Sequence, residues 1–164
     1  MDPIEEARAK AGDRLLVVDF YTTWCGPCRR LDQVTWPDPA VKAWLDAKAV
    51  LVKVDGEKHA ELTERLKVSA FPTMILLRPD GTELDRLVGF RAPHEFLADV
   101  ESALAGKNAL ARAREAAAGG GDPIARMDLG RTLAQAGRDD EALAEFLWCF
   151  DHGAERAPAY DCVR

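Results

Sequence analysis

The run Leu15-Leu16-Val17-Val18-Asp19-Phe20-Tyr21 is followed, after three residues, by Cys25-Gly26-Pro27-Cys28, and a helical pattern begins at Gly26. An unbroken apolar run of strand length belongs to a strand covered on both faces, and such strands sit in sheets that carry helices on either side. A dithiol spacing placed between that strand and a helix restricts the fold further than any other feature of the chain. The acid inside the run, Asp19, is its anomaly. A carboxylate in a doubly covered strand either finds a cation or takes up a proton.

The remaining elements fit the same architecture. Asp2-Pro3 predicts a helix start, with Asp as N-cap and Pro at the first helical position, and the helix runs to Ala11. The helical pattern from Gly26 reaches about Val34 and breaks at Trp36-Pro37-Asp38-Pro39, where Asp38-Pro39 starts a new helix through Val41, Trp44 and Leu45. Residues 49–54 read as a second buried strand and 60–66 as an amphipathic helix. Two further strands, 73–77 and 84–88, flank Pro79-Asp80-Gly81-Thr82, whose proline and glycine favour a hairpin turn. Pro93 opens a helix with Phe96, Leu97, Val100 and Leu104 on one face, ended near Gly106. The order βαβα then ββα, after an initial helix, predicts a mixed sheet with helices on both faces.

Beyond residue 106 the chain turns to Ala-rich helix, broken at Gly119-Gly120-Gly121. No strand precedes these glycines and no Gly-Lys-Ser/Thr follows, so they read as a linker and not as a phosphate loop. Asp122-Pro123 starts another helix, Gly137 stops it, and Asp139 can cap a last one through Ala142, Leu143, Phe146 and Leu147. The prediction is a C-terminal α-helical hairpin.

Charge and cysteine usage narrow the chemistry. A net charge of −6 and a pI near 5.1 give no clustered attraction for nucleic acid or anionic membranes, and no apolar run approaches bilayer length. Met1-Asp2-Pro3-Ile4-Glu5-Glu6 carries no basic or apolar secretory pattern, so a cytoplasmic, reducing location is expected. There a close cysteine pair is catalytic or metal-binding more often than structural. Zinc needs two further ligands at knuckle spacing, and Cys149, Cys162, His59, His94 and His152 do not supply them. No metal or other cofactor is expected. Cys149 reads as a small apolar residue on a helix face and Cys162 as exposed and free.

At a helix start, backbone N–H groups stabilise the first sulfur of the pair as thiolate, the nucleophilic form. Cys25 is therefore the expected attacking thiol. Cys28, one turn further in and less exposed, is placed to resolve a mixed disulfide, and Pro27 sets the geometry of the turn.

Together these residues resemble the thioredoxin family. Val18-Asp19-Phe20-Tyr21-Thr22-Thr23-Trp24-Cys25-Gly26-Pro27-Cys28 is similar to that family's strand, buried acid and active site, and Phe71-Pro72-Thr73 to its cis-proline segment. The resemblance covers about residues 1–105. It implies an α/β fold, a thioredoxin-like mixed sheet flanked by helices, over residues 1–106. It also implies catalytic roles for Cys25, Cys28 and Asp19, the last handling the resolving thiol's proton, with Lys53 beside it. Lys53 reads equally well as a snorkelling strand-end lysine. Trp24, Gly26, Pro27, Phe71 and Pro72 are implied to contact substrate. The break at Trp36–Val41 lengthens the stretch between dithiol and Pro72 and looks more like relay domains recharged by another dithiol. The electron donor is thus a thioredoxin-reductase-like flavoprotein or a dithiol protein.

Within residues 107–164, the stretch 126–146 resembles one tetratricopeptide repeat, spanning about 123–156: Leu129-Gly130, Leu133, Gly137, Ala142 and Phe146 fall at that family's offsets, with Arg126 where it has tryptophan. One repeat cannot bury its apolar face alone, so it is expected to dock on the thioredoxin-like core, to pair with the helix at 106–118 or to belong to an array, which leaves room for a protein partner at the repeat, and 159–164 reads as the opening of a further helix. The expected activity is thiol–disulfide exchange on protein disulfides. The alternative is a redox-linked co-chaperone or scaffold that binds clients through the repeat hairpin.

Overall fold

A computed structural model describes residues 2–156, with side chains described through Gly153. Cys162 and the predicted helix opening at 159–164 lie outside the described residues. The chain divides into two compact units, Met1–Asn108 and Ala109–Arg164.

The first unit is built on four strands, β1 (Leu15–Tyr21), β2 (Ala49–Asp55), β3 (Thr73–Leu77) and β4 (Glu83–Val88), in the order β2-β1-β3-β4. β1 pairs parallel with β2 and antiparallel with β3, and β3 pairs antiparallel with β4. The sheet is therefore mixed, with β1 central, as the doubly apolar run requires. Alternation along β1 sends Leu16, Val18 and Phe20 to one face, where α1 (Pro3–Ala11) and α4 (Ala60–Arg65) contribute Ile4, Ala11 and Leu62. The opposite face takes Val17, Met74, Leu76 and Leu87 under Leu31, which directly follows α2 (Gly26–Arg30), and under α3 (Pro39–Lys48) and α5 (Pro93–Leu104). Phe96 of α5 is fully buried there, edge-on to Trp36 and Trp44. Leu104, predicted on that face, is exposed because α5 ends with it.

One device starts several helices. Asp2 accepts the Ile4 N–H, Asp38 those of Ala40 and Val41, and Asp122 that of Ile124, each with proline at the next position. The predicted hairpin turn forms at residues 79–82, with Gly81 at φ +86° and the Asp80 carboxylate accepting the Thr82 N–H at 2.8 Å.

The segment after the dithiol departs from a regular helix. α2 runs into a π-helical turn, Leu31–Thr35, closed by the Trp36 N–H donating to the Leu31 carbonyl at 3.0 Å. The extra residue carried by such a turn changes which way the following side chain points. Trp36 is consequently buried rather than lost in the break that Pro37 imposes.

The second unit contains α6 (Ala109–Ala117), α7 (Pro123–Gln135) and α8 (Asp139–Arg156). It is not a simple hairpin: α6 packs on α7 as α7 packs on α8. Its core is small, Leu129, Leu133 and Ala142, with Leu110, Ala113, Ala117 and Phe146 packed around it. Gly130 permits the α7–α8 approach, since a Cβ there would stand 2.6 Å from the Phe146 ring. α8 continues past Leu147 to Arg156.

Candidate active site

β1 delivers the chain to the dithiol, and Cys25 and Cys28 are joined as a disulfide with Cα atoms 5.3 Å apart. Cys25 occupies the N-cap of α2, where its sulfur accepts the Cys28 backbone N–H at 3.2 Å. That bond stabilises negative charge on Cys25 once the disulfide is opened. Exposure does not separate the two cysteines as expected, because in the disulfide both are buried, at 4% and 2%. Position at the cap is what distinguishes them.

Around the pair, Trp24 is 65% exposed, and its indole N–H donates to Glu57 at 3.0 Å. Its ring meets Phe71 edge-on, centroids 6.4 Å apart. The Phe71-Pro72 peptide bond is cis. Phe71 lies against Gly56, where any Cβ would come within 2.6 Å of the ring, so glycine there lets the phenylalanine settle beside Trp24. The Pro72 carbonyl accepts the Gly89 N–H at 2.8 Å, which ties this segment to the end of β4.

Beneath, Asp19 is fully buried on the sheet face shared with Val17. Parallel pairing sets Lys53 of β2 directly opposite it, and antiparallel pairing sets Met74 of β3 on its other side. Lys53 Nζ stands 3.4 Å from Asp19 Oδ2 and closes on Asp32 of the π turn, and the same ammonium lies over the Tyr21 ring, 4.8 Å from its centroid. With its side chain 32% exposed, it joins both sequence readings: a strand lysine that reaches outward and also faces the buried acid. Burial pushes the Asp19 carboxyl above the usual carboxylate range, and the Lys53 charge and a Trp36 hydrogen bond oppose that rise.

Two residues at this site escaped the sequence reading. Trp36 donates its indole N–H to Asp19 Oδ2 at 3.0 Å, and Asp32 shares Lys53 with Asp19. The sequence signal was present but unread: a tryptophan directly after a helix, before a proline, is costly to leave in water. Elsewhere, burial pushes the Cys149 thiol up, and its S–H donates to the Pro123 carbonyl at 3.5 Å. Among the described residues no His, Cys, Asp and Glu side chains gather in a group that could hold a metal ion. No helix among them is long and apolar enough to cross a membrane.

A buried dithiol at a helix cap, beside a cis-proline segment on a mixed sheet with a buried acid, defines a thiol–disulfide oxidoreductase of the thioredoxin fold. Comparison with known proteins bears this out: the thioredoxin-like domain family matches residues 3–104, and the chain belongs to it. Thioredoxin-1 of Drosophila melanogaster is 44% identical over 85 residues, covering 52% of this chain and 73% of that protein. The solution structure of a thioredoxin from Thermus thermophilus aligns with a TM-score of 0.56 at 28% identity, over 73% of this chain and 90% of that one. A DsbH oxidoreductase structure shares the fold, with a TM-score of 0.53 at 21% identity over 63% of this chain and 80% of its own.

Proposed function

We infer that the chain reduces or exchanges disulfides of protein substrates, with Cys25 as nucleophile and Cys28 as resolving thiol. The observation that carries this assignment is the Cys28 N–H donated to Cys25 Sγ, which favours thiolate at the first sulfur only. The Cys25 thiolate attacks one sulfur of the substrate disulfide; that S–S bond breaks, and one substrate thiolate leaves. The Cys28 thiol then gives its proton to Asp19, and its thiolate attacks Cys25 Sγ in the mixed disulfide. The second substrate thiolate departs, and two electrons have moved from the dithiol to the substrate. Asp19 suits the proton role because its Oδ1 is buried without a hydrogen-bond partner. Lys53 steadies the resulting charge balance.

Trp24, Gly26, Pro27, Phe71 and Pro72 form the surface that receives an extended substrate segment beside Cys25. Regeneration requires either a thioredoxin-reductase-like donor or a second dithiol protein. The test is exchange on insulin: Cys25→Ser lowers turnover by more than about 1000-fold, and Cys28→Ser accumulates mixed disulfides. Retained turnover in Cys25→Ser overturns the assignment.

A second reading draws on the other unit. Leu143, Leu147 and Phe150 lie at i, i+4 and i+7 along α8, and all three are exposed. With α7 and α8 read as one tetratricopeptide-like unit, this face offers a client-binding role beside the redox chemistry. Prevention of client aggregation by a Cys25→Ser/Cys28→Ser protein, lost on Leu147→Asp, is the measurement that favours it.

A further inference from the structure

Asp19 has two carboxylate oxygens in different surroundings. Oδ2 accepts the Trp36 indole N–H at 3.0 Å and faces Lys53 Nζ at 3.4 Å. Oδ1 is buried and accepts nothing. An indole N–H can only donate, so the oxygen it holds must remain an acceptor whether the acid is ionised or protonated. The proton is therefore directed to the other oxygen. Trp36 is itself held: it is 8% exposed, its ring meets Phe96 edge-on at 5.2 Å, and the π turn fixes its backbone.

The charges that face Asp19 are few. β2 contributes Lys53, and the π turn contributes Asp32, which competes for the Lys53 ammonium; β3 places Met74 opposite, and Cys28 is buried in α2, the helix that follows β1. We propose that Trp36 is a positioning residue of the exchange reaction: its indole N–H occupies Asp19 Oδ2 so that Oδ1 alone exchanges the proton of the resolving thiol, while Asp32 moderates the hold of Lys53 on the same carboxylate. The inference rests on Asp19 as proton acceptor. In the resolving step Cys28 S–H breaks, Asp19 Oδ1–H forms, and the electron pair left on sulfur makes the new Cys25–Cys28 bond as the substrate thiolate leaves.

Opposite shifts are the signature. Trp36→Phe keeps a ring against Phe96 and removes only the donor, so the ionised carboxylate loses a hydrogen bond and the Asp19 titration moves up by about one pH unit. Asp32→Asn, at a half-exposed position, removes a like charge and frees Lys53 for Asp19, which moves the titration down by roughly half a unit. The titration is followed by carbon-13 NMR of carboxyl-labelled Asp19 in the reduced full-length protein, with the signal identified by its loss in Asp19→Asn. In parallel, stopped-flow release of a fluorophore from a disulfide-linked peptide gives the pH–rate profile, whose acid limb follows each titration.

An unchanged Asp19 titration in both variants, with sheet signal and thermal midpoint retained, overturns the proposal. If Trp36→Phe does not fold, an upward or absent shift in Asp32→Asn overturns it alone. A pH–rate profile unaltered by Asp19→Asn removes the proton role of Asp19 and overturns the proposal even with the two opposite titration shifts present, while the exchange chemistry of Cys25 stands.

Discussion

The two units bury their apolar side chains to different degrees. In the first, β1 and β3 are covered on both faces, and Phe20, Phe96, Leu16 and Leu76 are fully buried. In the second, three helices enclose Leu129, Leu133 and Ala142, while Ile124, Leu143, Leu147 and Phe150 stay exposed. The difference is geometric. A sheet offers two faces that helices can close, whereas a helix in a small unit can turn only one stripe inward. A closed core lets the first unit hold a carboxylate away from water, and the open second unit leaves apolar side chains exposed.

Substitutions can break or sharpen that contrast. Phe96→Ala removes the ring on which both Trp36 and Trp44 rest, and should cost about 3–5 kcal/mol in chemical denaturation of the first unit, with loss of exchange activity. A loss below about 1 kcal/mol would mean that this core is looser than its burial implies.

Asp19→Asn should act in the opposite direction. Because burial raises the folded-state affinity of Asp19 for a proton, its contribution to stability is present below the ordinary carboxylate range and is lost as pH rises through the higher folded value. The amide suffers no such loss. Relative to the parent, the variant should therefore gain stability progressively as pH rises above the ordinary carboxylate value of 3.8 and through the higher folded value. Urea unfolding at a series of pH values checks the sign, and a pH-independent difference would contradict it.

The smallest effect is expected in the second unit. Gly130→Ala forces a methyl against the Phe146 ring and should cost about 1–2 kcal/mol, seen as earlier loss of helical signal with exchange activity unchanged. Reduced activity would show that the helices support the dithiol and that the two units are not independent.

Much of this is legible in the sequence, for reasons that lie in local chemistry. Asp-Pro pairs announced helix starts because capping and a preset φ act within a few residues. The doubly apolar run announced a central strand, and the Pro-Asp-Gly turn a hairpin. Cys25 and Cys28 carried their own chemistry in their spacing. Less was readable around the acid. The equal cysteine burial, the π turn, the inward Trp36 and the acid pair on Lys53 each depend on packing between elements far apart in the chain.

The sequence by itself determined the order of elements, the place of the dithiol between strand and helix, and the presence of a carboxylate that water would not reach. Local propensity and periodicity suffice for these, since each involves residues within a turn or a strand of one another. Beyond Lys53, which the family resemblance already set beside it, tertiary structure alone decided which neighbours that carboxylate would have. Strand register set Lys53 opposite Asp19, and one extra residue in a helical turn brought Trp36 onto Oδ2 and left Oδ1 bare. The acidity of a buried group depends on charges and donors within a few ångströms, and only the packed chain brings those together.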